Sequence, residues 1–356
     1  MPLGTGRKRI EVSEVESILI RSTNWVGDVV MTLPALEAIR TNFPHSKITV
    51  LARPWVMPLF KDHPAVDELI VFQKGEGFLT NLKEIYRIVE LIRKKRFDLA
   101  ILFQNAFEAA LLTCLGHVKF RAGYNTDGRG LLLTHKVPRN DQRLGCHQVE
   151  YYLSLLRALG WNAESRDPRL YISVADVEKA KDLLYSSGIK DGDFIVALNP
   201  GAVFGGAKRW PADRFARVGD WAMEKWAAKV IVVGSKNEIH ICNSLCSSMR
   251  NRPVNFCGET SLGEAMGLIS LCGFFVTNDS GLMHVAASMG VPTLAVFGST
   301  DPVATGPRGP KARVIRHETE CAPCLKSECP QDHRCMLSIQ AEEVWREMER
   351  LREETS

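Results

Sequence analysis

SILIRSTNWVGDVVMTLPALEAIRTN, residues 17–42, decides the fold class. It opens on an apolar run closed by Arg21, the length of one buried strand. From residue 29 the period lengthens: Val29, Leu33, Leu36 and Ile39 recur at helical spacing and predict a helix over 29–42. Working outward, ITVL (48–51), a short run at 69–72 and LAILF (99–103) are further strands, and 82–95 is a long amphipathic helix. Strands alternating with helical segments of about 10–15 residues make βαβ units and a parallel sheet.

A polar stretch, ESRDPRLYIS (164–173), interrupts this pattern, which then restarts. A helix over 175–187 is closed by Gly188. Strands follow at 194–199, 230–234, 254–257, 273–277 and 293–297, with helices at 213–228, 238–249, 262–270 and 281–289. The expected architecture is α/β: two Rossmann-like, doubly wound parallel-sheet domains facing a cleft, at residues 1–173 and 174–340. A charged amphipathic helix in residues 341–356 is expected to pack back on the first domain. The length of 356 residues, divided by about 150, agrees with two domains.

Composition narrows the function classes. Apolar residues at 45% and charged residues at 24% are ordinary for a globular chain and exclude disorder, collagen and coiled coil. A net charge of +4 is too mild for a nucleic-acid binder that draws its affinity from neutralising phosphates. The longest apolar stretch, 99–118, carries Gln104, Asn105 and Glu108, so it is no membrane span. MPLGTGRKRIEVSEVES lacks the apolar core of a signal peptide, and the expected location is the cytoplasm, with peripheral membrane attachment left open. Six of the ten cysteines are scattered and read as small core residues. The other four, Cys321, Cys324, Cys329 and Cys335, form a compact group with only one C-x2-C, which reads as free thiols or opportunistic disulfides ahead of a structural metal site.

Three strand-to-helix loops hold the candidate chemistry, because ligands of an open parallel sheet bind outside the carboxyl ends of its strands. STNWVGD (22–28) has a single glycine, so the dinucleotide fingerprint is absent and an NAD dehydrogenase is disfavoured. The loop presents Asp28 at a helix start, where a carboxylate caps the helix, acts as a base, or does both. NPGAVFGGAKRWP (199–211) combines three glycines with Lys208 and Arg209, a composition that cradles phosphate without the Walker spacing. TNDSGLMH (277–284) leads into a helix whose first amides, at Ser280, Gly281 and Leu282, offer an anion site flanked by Asp279 and His284. Glu238, after strand 230–234, is either an exposed first-turn glutamate or a partner for ribose hydroxyls. Arg93–Arg96 reads as a solvated helix end, whereas Arg121 and Arg129 bracket a glycine-containing segment suited to an anionic substrate or headgroup.

Taken together and in order, the 17–40, 199–211 and 277–298 segments resemble the bacterial lipopolysaccharide heptosyltransferases of the GT-B class, nearest to members that add the second heptose. The resemblance spans about residues 18–336 and implies an inverting, metal-independent transfer from ADP-heptose, with no cofactor beyond the sugar nucleotide. Its acceptor would be the first inner-core heptose on a Kdo-bearing lipid A precursor, met in transient contact with the inner membrane, and no nucleic acid would take part. By position, Asp28 would be the base, Lys208 would pair with the diphosphate, and Asp279 with the Ser280–Leu282 amides and His284 would hold donor sugar and phosphates. Glu238 would meet the ribose, and Arg121 and Arg129 are acceptor candidates on charge and position alone. A first-heptose or related nucleotide-sugar transferase, a nucleotide-sugar epimerase and a non-catalytic nucleotide-sugar-binding protein remain alternatives at this level.

Overall fold

The computed structural model describes residues 10–75, 77–139 and 145–355; most of the segment read above for a leader, residues 1–9, lies outside them. Two compact units divide between Tyr171 and Ile172.

The first unit runs β1 (Ser17–Arg21), α1 (Val26–Asn42), β2 (Lys47–Ala52), β3 (Glu68–Val71), α2 (Phe78–Lys95), β4 (Leu99–Leu102), α3 (Phe107–Leu115), β5 (Phe120–Tyr124), β6 (His135–Val137) and α4 (Gln148–Ala158). Its strands form one parallel sheet in the order β3-β2-β1-β4-β5-β6, with Ile18 opposite both Ile48 and Leu99. Strands covered on both faces need apolar side chains at every position, which is why SILIR and ITVL read as runs. The apolar stretch at 99–118 is divided between β4 and α3 by the polar loop between them. No helix among the described residues is long and apolar enough to cross a membrane.

The second unit runs α5 (Val174–Ser186), β7 (Ile195–Asn199), α6 (Ala212–Trp226), β8 (Lys229–Val232), α7 (Ile239–Ser248), β9 (Val254–Asn255), α8 (Leu262–Ser270), β10 (Phe274–Asn278), α9 (Gly281–Ser288), β11 (Thr293–Val296), α10 (Pro302–Thr305), β12 (Ala312–Ile315), α11 (Arg334–Leu337) and α12 (Ala341–Thr355). Its parallel sheet has the order β12-β11-β10-β7-β8-β9. In each sheet the chain reverses its direction of winding once, between β1 and β4 and between β7 and β10, and at such points the loops part to leave a crevice.

The terminal helix α12 completes the core of the second unit: Val344, Trp345, Met348 and Leu351 are buried there with Phe215, Val218 and Ala222 of α6. Trp345 lies 4.6 Å from the Trp226 ring, and Arg352 caps Trp226 at 4.5 Å. Its apolar face is too wide to be left in water, and the nearest apolar surface belongs to α6.

Candidate functional site

At the crevice of the second sheet, the ends of β7 and β10 are laced by two buried amides. Asn199 Nδ2 donates to Val233 O at 2.9 Å, while its Oδ1 accepts from Thr277 Oγ1 (3.0 Å) and Ser280 Oγ (2.9 Å). Asn278 Nδ2 donates to Pro200 O at 2.8 Å, and its Oδ1 accepts from Trp210 N at 3.0 Å. Sequence reading missed both; the signal available was a polar amide closing an otherwise apolar strand.

On this scaffold Lys208 Nζ lies 2.6 Å from Asp279 Oδ2, which also accepts from Thr300 Oγ1 at 2.7 Å. Asp279 is 5% exposed, so it orients the lysine. Ser280 caps α9, its Oγ accepting from Met283 N at 3.2 Å. That hydroxyl is therefore spent inside the protein. The backbone amides at the start of α9, Gly281 and Leu282 in its first turn and Ser280 at its cap, precede any intrahelical acceptor and are the donors this turn can offer an anion. His284 is buried one turn further on.

Glu238 is buried, which removes the exposed-glutamate reading. Its Oε2 accepts from Ser235 N at 2.8 Å and Ser235 Oγ at 2.7 Å. Its other oxygen faces Gly201, where a β-carbon would stand 2.0 Å from Oε1. Gly201 thus makes room for the carboxylate. The three loops that hold Glu238, Lys208 and Asp279 follow the adjacent strands β8, β7 and β10, so one sheet edge gathers them.

The cysteine-rich segment supports this edge from behind. Ala207 N donates to Ser327 O (2.9 Å), Gly206 N to Glu328 Oε1 (3.1 Å), and His333 Nε2 lies 3.1 Å from Ala207 O. The loop holding Lys208 is therefore pinned at each of the two residues before it. Cys321, Cys324, Cys329 and Cys335, all unpaired, line a cavity of about 60 Å³ behind it. Among the described residues no group of three or more His, Cys, Asp or Glu side chains converges to hold a metal. Gly205 has φ of +149°, and a β-carbon there would meet Ser327 O at 2.2 Å. Gly205→Ala is expected to lower kcat/KM about a hundredfold by moving Lys208. Gly192→Ala, strained at φ +88° but facing open space, should lower only the melting temperature; equal activity loss in both variants would refute the pinning.

In the first domain Asp28 sits in the first turn of α1, beside the point where β1 and β4 diverge. Tyr152 of α4 is its neighbour: burial first, then the charge of Asp28, raises the Tyr152 phenol well above its usual range. The two arginines expected to bind an acceptor do other work. Arg121 lies on β5, at the end away from the carboxyl edge, with Nε donating to Leu132 O (2.7 Å) and Nη1 to Val118 O (2.6 Å). Arg129 is fully buried and donates to Tyr124 O (2.8 Å), Gln104 O and Asn105 Oδ1 (2.9 Å); burial lowers its pKa to about 10. Its donors are consumed by Tyr124 at the end of β5 and by Gln104 and Asn105 of the loop after β4, so Arg129 ties these segments together inside the fold.

A second cluster of positive charge in the first domain was missed. Arg21 and Arg53, both buried, flank the Phe72 ring, at 5.5 and 4.3 Å from its centroid. Burial, then repulsion from Arg53, lowers the Arg21 pKa to about 9, with Glu108 opposing. Glu108 is the shared counter-ion, 3.6 Å from Arg53 and 2.6 Å from Lys74. Asn24, Arg53, Pro54, Trp55, Gln73 and Lys74 line a groove of about 590 Å³, and Trp55 Nε1 donates to Asn24 O at 2.7 Å. The groove is thus continuous with the loop that leads to Asp28. The two cations that line the groove, Arg53 and Lys74, share Glu108 as their ion-pair partner, which leaves the lining positive, as suits an anionic ligand.

The family model of glycosyltransferase family 9 (heptosyltransferase) matches residues 85–334. Lipopolysaccharide heptosyltransferase 2 of Salmonella typhimurium is 31% identical over 344 residues, covering 94% of this chain and 98% of that protein. Its Escherichia coli counterpart is also 31% identical, with the same coverage. Among solved structures, E. coli ADP-heptose LPS heptosyltransferase II superposes with a TM-score of 0.82 at 27% identity, over 95% of this chain and 99% of that one. A Veillonella parvula family 9 glycosyl transferase gives a TM-score of 0.85 at 25% identity, over 95% and 97%.

Proposed function

The chain belongs to glycosyltransferase family 9, the heptosyltransferases, and from that membership we propose that it moves L-glycero-D-manno-heptose from ADP-heptose to the first heptose of the lipopolysaccharide inner core. The observation that carries the reading is the Lys208–Asp279 pair beside the amides of Gly281 and Leu282, at the crevice of the second sheet. In the transfer the bond between sugar C1 and the β-phosphate oxygen breaks and C1 joins the acceptor oxygen. Negative charge grows on the departing ADP, where a held lysine and a helix N-terminus stabilise it without a metal ion. Asp28 takes the acceptor proton as the new bond forms, and attack from the face opposite the leaving group inverts C1. Glu238, fixed by Ser235, accepts a ribose hydroxyl, and His284 packs beneath the phosphate site. The groove of Arg53 and Lys74 takes the role first assigned to Arg121 and Arg129, holding the anionic acceptor. A lipid-linked acceptor puts the work at the cytoplasmic face of the inner membrane, reached as a peripheral protein.

The test follows ADP release from ADP-heptose with Kdo2-lipid A carrying either no heptose or one. Release only with the mono-heptosylated acceptor is expected. Release with the heptose-free acceptor would make it a first-heptose enzyme. Donor binding without release with either would leave a binding protein or an epimerase.

A further inference from the structure

Helix α2 carries two apolar faces where a surface helix needs one. Ile88, Val89 and Ile92 turn inward to the core of the first domain. Phe78, Leu79, Leu82 and Tyr86, spaced to share a neighbouring side of the helix, are 76%, 72%, 46% and 68% exposed. Beside and beyond this patch the helix is basic, with five Lys or Arg residues against two Glu. Arg87, Arg93 and Lys95 are paired with Glu84, Glu90 and Glu68, but Lys83, Lys94 and Arg96 make no ion pair among the described residues. Arg87, Glu90, Leu91, Arg93, Lys94 and Arg96 border an open hollow of about 690 Å³.

We propose that α2 is the surface by which this protein docks on an anionic phospholipid bilayer, Phe78, Leu79, Leu82 and Tyr86 entering the headgroup boundary while Lys83, Lys94 and Arg96 meet lipid phosphates. Aromatic and leucine side chains beside unpaired cations are the composition of an interfacial helix. A second copy of the chain is the poorer occupant, because a two-fold contact would set this basic face against itself. Position agrees as well. Gln73, which lines the proposed acceptor groove, donates its amide to Glu84 of α2 at 3.1 Å. The groove therefore adjoins the helix that carries the patch. The inference rests on the lipid-linked acceptor proposed above.

The experiment is co-sedimentation of the full chain with vesicles of phosphatidylcholine alone or mixed with phosphatidylglycerol, at low and high salt. Binding to the mixed vesicles that weakens with salt is expected. Each basic residue near an anionic surface is worth about a factor of five, so Lys83→Gln with Lys94→Gln should weaken partition roughly 25-fold. Leu79→Ser with Tyr86→Ser should weaken it on both kinds of vesicle. All four positions are exposed or make no ion pair, so ADP release with a deacylated, water-soluble acceptor should stay at the wild-type rate. Partition unchanged in both double variants, wild-type protein that stays in solution, or a dimer abolished by Tyr86→Ser would each overturn the proposal. Absence of ADP release from wild-type protein would count against the transferase reading alone, and the partition result would stand apart from it.

Discussion

Asp28→Asn is expected to lower kcat by about 10²–10⁴-fold, the usual contribution of a positioned general base, while ADP-heptose binds as before. Asparagine keeps the size and hydrogen-bonding shape of the side chain and removes only its basicity. Some stability goes with the charge, because an acidic residue in the first turn of α1 favours the helix dipole by about 0.3–1 kcal/mol. A loss of that size moves the melting temperature by a few degrees and leaves the protein folded during the assay. The proposed donor site lies in the other unit, on loops after β7, β8 and β10, so its affinity has no reason to change. The check is ADP release at saturating acceptor, with donor affinity measured separately by calorimetry. Near wild-type turnover would remove Asp28 from the chemistry and leave it a helix cap.

What was legible beforehand follows from how each feature is encoded. Strands buried on both faces appear as apolar runs, and β1, β2, β4, β7, β8, β10 and β11 are all of that kind. β5 escaped because FRAGY contains Arg121 and Gly123. A β-carbon at Gly123 would press within 3.3 Å of the Arg129 guanidinium, so the residue that disguises the strand is the one that admits the buried arginine. β12 escaped as a half-buried edge strand. Asp28, Lys208, Glu238 and Asp279 could be singled out as candidates because a single loop after a single strand carries each of them. The basic groove was invisible for the opposite reason. Arg21, Arg53 and Lys74 belong to three separate segments, and only the β3-β2-β1 neighbourhood unites them. Charge alone also misled at Arg121 and Arg129, since a sequence does not tell whether a guanidinium spends its donors on carbonyls inside the fold.

Lys208→Gln should lower kcat by about 10²–10³-fold, the cost of removing one donor from a site that stabilises developing charge. It should also destabilise the fold, and the two losses have separate causes. Asp279 and Lys208 are 5% and 15% exposed at the side chain, and Thr300 Oγ1 donates to the same carboxylate oxygen. Breaking a largely buried pair at one end leaves a charge in a poor solvent, at a cost of about 3–5 kcal/mol. Adding Asp279→Asn to Lys208→Gln removes that stranded charge, and the amide can still take the Thr300 hydrogen bond through its oxygen. The double variant should therefore regain most of the melting temperature and none of the turnover. Such non-additivity in stability, without recovery in kcat, is what a pair held together in order to present one cation must give. If turnover returned along with stability, Lys208 would be a structural partner of Asp279, and the charge on the departing diphosphate would have to be met by the α9 amides alone.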